Sequence, residues 1–173
     1  MREYLTPAIV LGSHHSGEYD RSVDLYTRDL GRLRARVVGG SRLSSKLSPH
    51  LDVGNLVDVR LVHKNKFTVT DVVTKERFQP SASLLKMIVF VKSLLPETAP
   101  DLRFWHQLVG DLKSAKLRTN PLLKILGYDP ILAACENCRT EKVAYFHPAD
   151  QSFLCTDCTL KFNIQKTKIF ELS

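Results

Sequence analysis

Four cysteines in the last quarter of the sequence constrain the fold more than any other feature. They form two pairs, Cys135-x-x-Cys138 and Cys155-x-x-Cys158, with residues 139–154 between them. Each C-x-x-C turn aims two thiolates at one point, so the two turns together offer four sulfurs to a tetrahedral Zn²⁺. Because four protein ligands leave no open position for catalysis, the pattern predicts one structural zinc ion.

Two other interpretations of the cysteines are a pair of disulfides and a redox C-x-x-C motif. Disulfides require an oxidising compartment, to which nothing in the sequence points. A thioredoxin-type motif needs only one pair in a βαβ pattern, which the sequence does not show. The intervening residues predict two strands, Lys142–Phe146 and Ser152–Leu154, joined by a turn. A hairpin held at its base by metal is a zinc ribbon, whose metal supplies folding free energy.

The first 75 residues alternate short apolar runs with turns, as all-β modules do. A polar turn is predicted at Ser13–Glu18 and a short helix at Ser41–Leu47. Five strands with a helix between the third and fourth predict an OB-fold barrel, which binds single-stranded nucleic acid with one sheet face and its loops. The predicted strands are Ala8–Gly12, Val23–Thr27, Arg32–Val38, Leu56–Val62 and Phe67–Val73.

The basic charge is concentrated in one segment of the chain. The sequence has 25 basic and 18 acidic residues, a net charge of +7, and Arg32–Lys66 alone contributes +6. In the third strand, arginines alternate with Leu33, Ala35 and Val37, so the arginines share one face. Such a face is often merely solvated. Adjacent cations repel, however, and no acid interrupts the series through Lys46, so we expect phosphates to neutralise it.

The expected ligand of this basic segment is the nucleic-acid backbone, because no base-reading pattern is visible. A basic hairpin tip at residues 63–66 adds a second group of cations, and Phe67 beside it is either a core residue or a platform for base stacking. The predicted DNA-binding residues are Arg32, Arg34, Arg36, Arg42, Lys46, Lys64 and Lys66.

Residues 78–173 predict a small helical domain. Ser81 or Ser83 can cap a first helix that is apolar nearly all round and therefore expected to be buried. A second helix follows Thr98–Asp101, and a third, at 120–126, is expected to end at Gly127. The predicted fold class is thus α+β and multidomain: a five-stranded OB-fold barrel at 1–77, then a helical domain at 78–173 into which a zinc-ribbon-like module with four cysteines is inserted at 131–160. The tail at 159–173 has no predicted structure.

Several functional classes are disfavoured by the sequence. Its first residues lack the apolar core of a signal peptide, and the apolar stretch Leu84–Leu95 is too short to span a bilayer. We therefore expect a cytosolic protein without membrane contact. There is no Walker loop, dinucleotide fingerprint or deaminase H-x-E motif, so we expect no enzymatic activity and no small-molecule substrate.

Three stretches, in this order, resemble the bacterial RecO family of recombination mediators. They are Gly17–Arg21 with the following Leu25–Thr27 strand and Gly31, then Gly39–Arg42 continuing to Ser45–Leu47, and Leu122–Pro130 leading into Cys135–Cys138. The resemblance covers about residues 8–158. It implies an OB-fold, a helical domain and a zinc-binding element. It also implies binding of single- and double-stranded DNA, annealing of complementary strands, and partnership with RecR and single-stranded DNA-binding protein in loading RecA, in the bacterial cytoplasm at the nucleoid.

The chain departs from the family pattern in ways that predict a shortened member. The helical region between Leu95 and Leu122 is short, and little follows the last cysteine. Arg139 stands where a glycine often follows the second cysteine, and Ala149–Ser152 lacks the usual glycines. Two alternatives to a DNA mediator remain: a zinc-containing protein–protein adaptor, and an RNA-binding OB-fold protein.

Overall fold

A computed structural model describes residues 1–16, 18–42 and 44–173, which form two compact units. The first unit comprises Met1–Ile88 and Leu95–Leu102, and the second comprises Val89–Leu94 and Arg103–Ser173. Among the described residues, no helix combines the length and the apolar character that crossing a bilayer requires.

The first unit contains a closed five-stranded barrel. The strands follow one another round the barrel in the order β1-β2-β3-β5-β4, with β4 pairing back to β1. All neighbours are antiparallel except β3 and β5, which meet in a short parallel seam at Ala35–Phe67 and Arg36–Thr68. The strands are β1 (Arg2–His15), β2 (Arg21–Thr27), β3 (Gly31–Val37), β4 (Leu56–His63) and β5 (Phe67–Glu76).

The interior of the barrel follows from the period-two pattern of its strands. In β3, Leu33, Ala35 and Val37 are buried, whereas Arg34 and Arg36 are exposed, which confirms the predicted alternation. Aliphatic residues of the other strands complete this core: Ala8, Val10, Val23, Leu25, Val57, Val59, Leu61, Val69 and Val72.

The first strand is longer than its apolar residues predict. Ser13–His15, predicted as part of a polar turn, belong to β1 and pair with Arg21–Val23 of β2. A bulge between Val10 and Gly12 shifts the register but does not end the ladder, because backbone pairing does not require apolar side chains. Gly17, part of the predicted turn, lies outside the described residues.

The predicted helix at Ser41–Leu47 is wrong for residues 41–42 and 44–47, which form turns; Leu43 lies outside the described residues. A 3-10 turn follows at Ser48–His50. Two serine side chains hold this loop by donating to backbone carbonyls that lie outside the predicted helix. Ser41 Oγ donates to the carbonyl of Asp20 at 3.1 Å, and Ser48 Oγ donates to that of Gly40.

The helices are α1 (Ala82–Leu94), α2 (Leu102–Lys113), α3 (Thr119–Ile125) and α4 (Thr156–Lys161). The predicted cap of α1 is confirmed, since Ser81 Oγ accepts from the Leu84 N–H at 3.1 Å. The prediction that α1 is buried all round is wrong, because Leu85 and Val89 are 59% and 50% exposed. Its buried side chains recur at three- and four-residue spacing, as on one broad helix face: Leu84, Met87, Ile88, Phe90 and Val91.

The end of α3 confirms the sequence prediction at Gly127. This glycine has a φ of 91°, and its N–H donates to the carbonyl of Lys124 at 3.1 Å. The Tyr128 N–H donates to the carbonyl of Leu123 at 2.9 Å, which completes a Schellman-type cap. Trp105 on α2 is buried, as expected of a core residue.

The second unit carries a three-stranded sheet in the order β7-β6-β8. The strands are β6 (Tyr145–His147), β7 (Ser152–Leu154) and β8 (Phe170–Glu171). The first strand of the hairpin therefore begins three residues later than predicted. The tail, for which no structure was predicted, supplies the second half of α4 and a third strand. Phe170 of β8 pairs with Phe146 of β6, so the tail becomes part of the sheet.

Candidate metal centre and nucleic-acid interface

The four cysteines converge as their spacing predicts. Their Sγ atoms all lie within 4.8 Å of one another, and the sulfurs of Cys138 and Cys155 are 3.6 Å apart. A tetrahedral site with Zn–S bonds of about 2.3 Å places its sulfurs about 3.8 Å apart. A disulfide requires about 2.05 Å, and all four cysteines are free. The arrangement therefore fits a four-coordinate metal with thiolate ligands.

Each pair of ligands comes from a tight backbone turn. The Cys135 N–H donates to the carbonyl of Thr140 at 2.8 Å, and the Arg139 N–H donates back to that of Cys135 at 2.9 Å. This turn requires a left-handed φ of 62° at Arg139. In the second turn, Cys155 is the N-cap of α4, and its sulfur accepts from the Cys158 N–H at 3.4 Å. Backbone N–H groups thus face the sulfurs, as thiolates require.

The thiols have unequal acidities without a metal. Burial raises the pKa of Cys135, but the backbone N–H groups of Cys138, Cys155 and Asn137 outweigh it and bring the pKa to about 6. Burial, together with the neighbouring sulfurs, raises the pKa of Cys158 to about 12. A bound divalent cation offsets the repulsion between neighbouring thiolates, so it allows them to be held at short distance.

Apolar side chains pack against the cysteines of the candidate metal centre. Leu154 and Ile169 are buried against the cysteines, and Tyr145 and Ile164 pack around them. Cys138 is the only exposed ligand of the four. Since Ile164 and Ile169 belong to the tail, that segment completes the environment of the cysteines.

The barrel carries a groove of about 760 Å³ between β3 and the β4–β5 hairpin, which we call the barrel groove. Its cations are Arg34, Arg36 and Lys66, and its aromatic rings are those of Phe67 and of three histidines, His14, His15 and His63. The rings of His63 and Phe67 lie 4.4 Å apart at an angle of 36°. Cations beside aromatic side chains on which bases can stack are the combination with which single-stranded nucleic acid is bound.

The arginines of β3 are not free of acidic neighbours, although the sequence alone suggested that they would be. Arg34 Nε donates to the Asp24 carboxylate at 2.7 Å, and Arg36 Nε donates to that of Asp20 at 2.7 Å. Both acids belong to β2 or its start, and antiparallel pairing places them beside β3. The premise of unrelieved repulsion is therefore wrong. Binding of phosphate by these arginines stays a prediction, since their side chains remain 65% and 58% exposed.

Asp20 connects two loops at one end of the barrel groove. Its carboxylate accepts from the Gly39 N–H at 2.8 Å as well as from Arg36. The Gly39 N–H and the Arg36 guanidinium together lower the pKa of Asp20. In the same region, the Arg42 guanidinium lies 5.1 Å from the centre of the Tyr19 ring. The loop after β3 is thereby held against the segment that precedes β2.

The remaining predicted DNA-binding residues differ in their surroundings. Arg32 is half-buried, whereas Lys46, Lys64 and Lys66 are exposed and form no ion pair within the described part of the chain. Only Lys66 of these three lines the barrel groove. Phe67 combines both predicted roles, because it packs against the barrel core and lines the groove.

Sequence reasoning missed five residues that line the groove. His14 and His15 were assigned to a loop, although period-two alternation carried past Gly12 would have placed them in a strand. Glu97 and Thr98 come from the connection after α1, and nothing in their local sequence indicates contact with the barrel. His63 was placed in the hairpin turn only.

Comparisons with known proteins agree on one family. Residues 1–76 match the family model described as "Recombination protein O N terminal". The chain is 30% identical over 186 residues to the DNA repair protein RecO of Cutibacterium acnes, covering 91% of this chain and 75% of that protein. It is 29% identical to the proteins of the same name from Dehalococcoides mccartyi and Nocardioides sp., covering 90% of this chain and 70% and 74% of theirs.

Proposed function

The chain belongs to the RecO family of DNA repair proteins, and from this we propose that it is a non-enzymatic mediator of DNA repair and homologous recombination. In this role it binds single- and double-stranded DNA without sequence preference and anneals complementary strands. It also helps to load the recombinase onto protein-coated single strands, with RecR and single-stranded DNA-binding protein as partners. Bacterial DNA lies in the cytoplasm at the nucleoid, where such a protein would act.

The observation that carries this proposal is the barrel groove, in which cations lie beside the rings of His63 and Phe67. The strand order β1-β2-β3-β5-β4 supports an OB-fold, whose nucleic-acid site is formed by one sheet face and its loops. We propose that residues 1–77 form this OB-fold domain. The proposed DNA contacts are Arg32, Arg34, Arg36, Arg42, Lys46, Lys64 and Lys66, and residues 78–173 form a helical domain that holds the metal module at 131–160.

The metal in this proposal is one zinc ion, bound by Cys135, Cys138, Cys155 and Cys158. Four-sulfur ligation suits Zn²⁺, and the sulfur separation of 3.6 Å between Cys138 and Cys155 supports a tetrahedral site. Zinc in a site with four protein ligands contributes folding free energy. The cysteine turns would therefore hold the sheet and the tail in place.

Annealing of complementary strands tests the proposed function. Annealing of two fluorescently labelled oligonucleotides coated with single-stranded DNA-binding protein should be accelerated by the chain. Lys64→Ala/Lys66→Ala should reduce the acceleration, because cations on the protein let two polyanions approach. The control Lys116→Ala/Lys142→Ala removes the same charge from exposed positions in the second unit. No acceleration, or an equal reduction in both variants, would contradict the proposal.

A protein–protein adaptor is the second candidate, and one observation favours it. Asp24 and Asp20 already partner Arg34 and Arg36, as expected of a face that is merely solvated. An adaptor would leave annealing unchanged but retain binding of its protein partners. An RNA-binding role would instead appear as stronger competition by RNA than by DNA of equal length and sequence.

A further inference from the structure

The connection between α1 and α2 lies against the barrel and reaches the barrel groove. We call residues 97–101 the strap. The Thr98 N–H donates to the carbonyl of Arg32 at 2.8 Å, and the buried Tyr26 donates its hydroxyl to the carbonyl of Asp101 at 3.4 Å. Gly31 has a φ of 72°, and a Cβ there would lie 2.6 Å from backbone atoms of Ala99. Backbone contacts thus fix the strap beside the start of β3.

The strap brings a carboxylate into a cationic groove. Glu97 forms a parallel bridge with Arg32 and lines the barrel groove together with Thr98. Among the described residues that line it, Glu97 is the only acid, and the other charged side chains are Arg34, Arg36 and Lys66. Glu97 therefore adds a negative charge to the groove that Arg34, Arg36 and Lys66 line.

Arg34 lines the same groove as Glu97, and its pKa is raised in part by the Glu97 carboxylate. Asp24 is the main cause of the raised pKa of Arg34, and Glu97 raises it further. Asp24 accepts from the Nε of Arg34, whose side chain is still 65% exposed towards solvent. The Arg34 guanidinium is thus hydrogen-bonded to Asp24 of β2 and attracted electrostatically by Glu97 of the strap.

We propose that Glu97 is an intramolecular competitor of nucleic-acid phosphates for Arg34. A phosphate that approaches Arg34 must do so beside a like charge that the strap holds in place, so the groove binds a polyanion more weakly than its cations alone would. This inference rests on the proposed function and adds a residue that sets its affinity. Such weakening keeps contacts to single phosphates reversible, so that stable binding needs the whole groove.

The magnitude follows from the exposure of the pair. Interactions between exposed charges correspond to roughly a 1.4- to 5-fold change in an equilibrium constant. Glu97→Gln should therefore tighten binding of a single-stranded oligonucleotide to the full chain by about two- to five-fold at low salt. The gain should shrink as salt rises, because exposed charges are screened.

The test measures oligonucleotide affinity at low salt for wild type, Glu97→Gln, Asp52→Asn, Arg34→Ala and the double variant Glu97→Gln/Arg34→Ala. Asp52→Asn is the matched control, because Asp52 is an exposed acid of the same unit that does not line the groove. We expect Glu97→Gln to tighten binding more than Asp52→Asn does, and to lose most of this gain when Arg34 is absent.

Two results would contradict the proposed competition by Glu97 while leaving the proposed function intact. One is a gain from Glu97→Gln no larger than that from Asp52→Asn. The other is a full gain in the absence of Arg34, which would mean that Glu97 repels phosphates without withholding this arginine from them. If neither the wild type nor any variant bound DNA, the proposed function and the competitor would both fall.

Discussion

Arg139 has a backbone conformation that residues with a side chain rarely adopt. It follows the second cysteine with a φ of 62°, a left-handed conformation that glycine adopts without steric cost. Glycine at this position would remove the strain in this turn. Gln151 in the hairpin turn has the same left-handed conformation, with a φ of 53°.

Arg139→Gly should stabilise the metal-bound protein by about 1 kcal/mol, because relief of the left-handed strain exceeds the added entropy of the unfolded chain. Urea unfolding of the zinc-bound protein measures this difference. Arg139→Ala is the control, since it removes the exposed contact with Glu136 but keeps the strained backbone. Equal effects of the glycine and alanine variants would show that the backbone is not the cause.

Asp20 supports a pH-dependent prediction at the same scale. Because the Gly39 N–H and Arg36 lower its pKa below 3.8 in the folded protein, the ionised carboxylate favours the folded state. This contribution is fully present above the unfolded pKa and is lost as the pH falls through the folded pKa. Wild type should thus be more stable than Asp20→Asn at neutral pH, and the difference should fade below pH 3.8.

Denaturant unfolding at a series of pH values measures this difference. The control is Asp52→Asn, which removes an exposed carboxylate for which no side-chain partner is described. A stability difference between wild type and Asp20→Asn that is constant from neutral to acid pH would contradict the assigned role of the carboxylate.

At the scale of single elements, we expect the sheet β7-β6-β8 to depend on the proposed zinc site. Its strands have only three, three and two residues, too few for stability on their own. Leu154 at the end of β7 and Ile169 beside β8 pack against the cysteines. The sheet should therefore be ordered only while the four sulfurs are held together.

Removal of zinc by a chelator should expose the amides of Tyr145–His147 and Phe170–Glu171 to hydrogen exchange, while the barrel amides stay protected. Cys135→Ser should have the same effect without chelator. Exchange rates of these strands that do not change on chelation would contradict a structural role of the metal. A matched control is the metal-bound wild type treated with the zinc-saturated chelator.

Elements with a strict local pattern could be predicted from the sequence, and those that depend on distant partners could not. The spacing of Cys135–Cys158 and the alternation in β3 are local, and both predictions agree with the structure. Strand β8 could not be predicted, because two residues are too few to show a periodic pattern. The strand depends on pairing with β6, which is distant in sequence. The described residues of Ser41–Leu47 form no helix, and Ser41 bonds instead to the distant backbone of Tyr19 and Asp20.

Prediction of the candidate site from the sequence is limited in the same way, because the site also depends on residues that are distant in sequence. The basic residues of the barrel groove were visible in the sequence, but their acidic partners were not considered because Asp20 and Asp24 lie on another strand. Glu97 is separated from Arg34 by sixty-three positions, so only the fold brings it to the groove. Local charge counts thus overstate how positive the groove is.

At the scale of the whole molecule, the central claim is that the barrel groove binds the phosphates of nucleic acid. The net charge of +7 favours an anionic partner but does not locate its site. Arg34 and Arg36 locate it, provided that phosphates can use guanidinium groups that Asp24 and Asp20 hold in place. The measurement must therefore distinguish the effect of where the positive charges lie from the effect of how many there are.

The most direct measurement is the affinity for a labelled single-stranded oligonucleotide across a salt series. Wild type is compared with Arg34→Ala/Arg36→Ala and with Arg28→Ala/Arg60→Ala, which removes two exposed, ion-paired arginines of the same unit that do not line the groove. We predict a fall of log K with log salt that is shallower by about 0.7 for each phosphate that the protein no longer neutralises, in the groove variant only. Equal slopes in all three proteins, or no binding at low salt, would contradict this prediction.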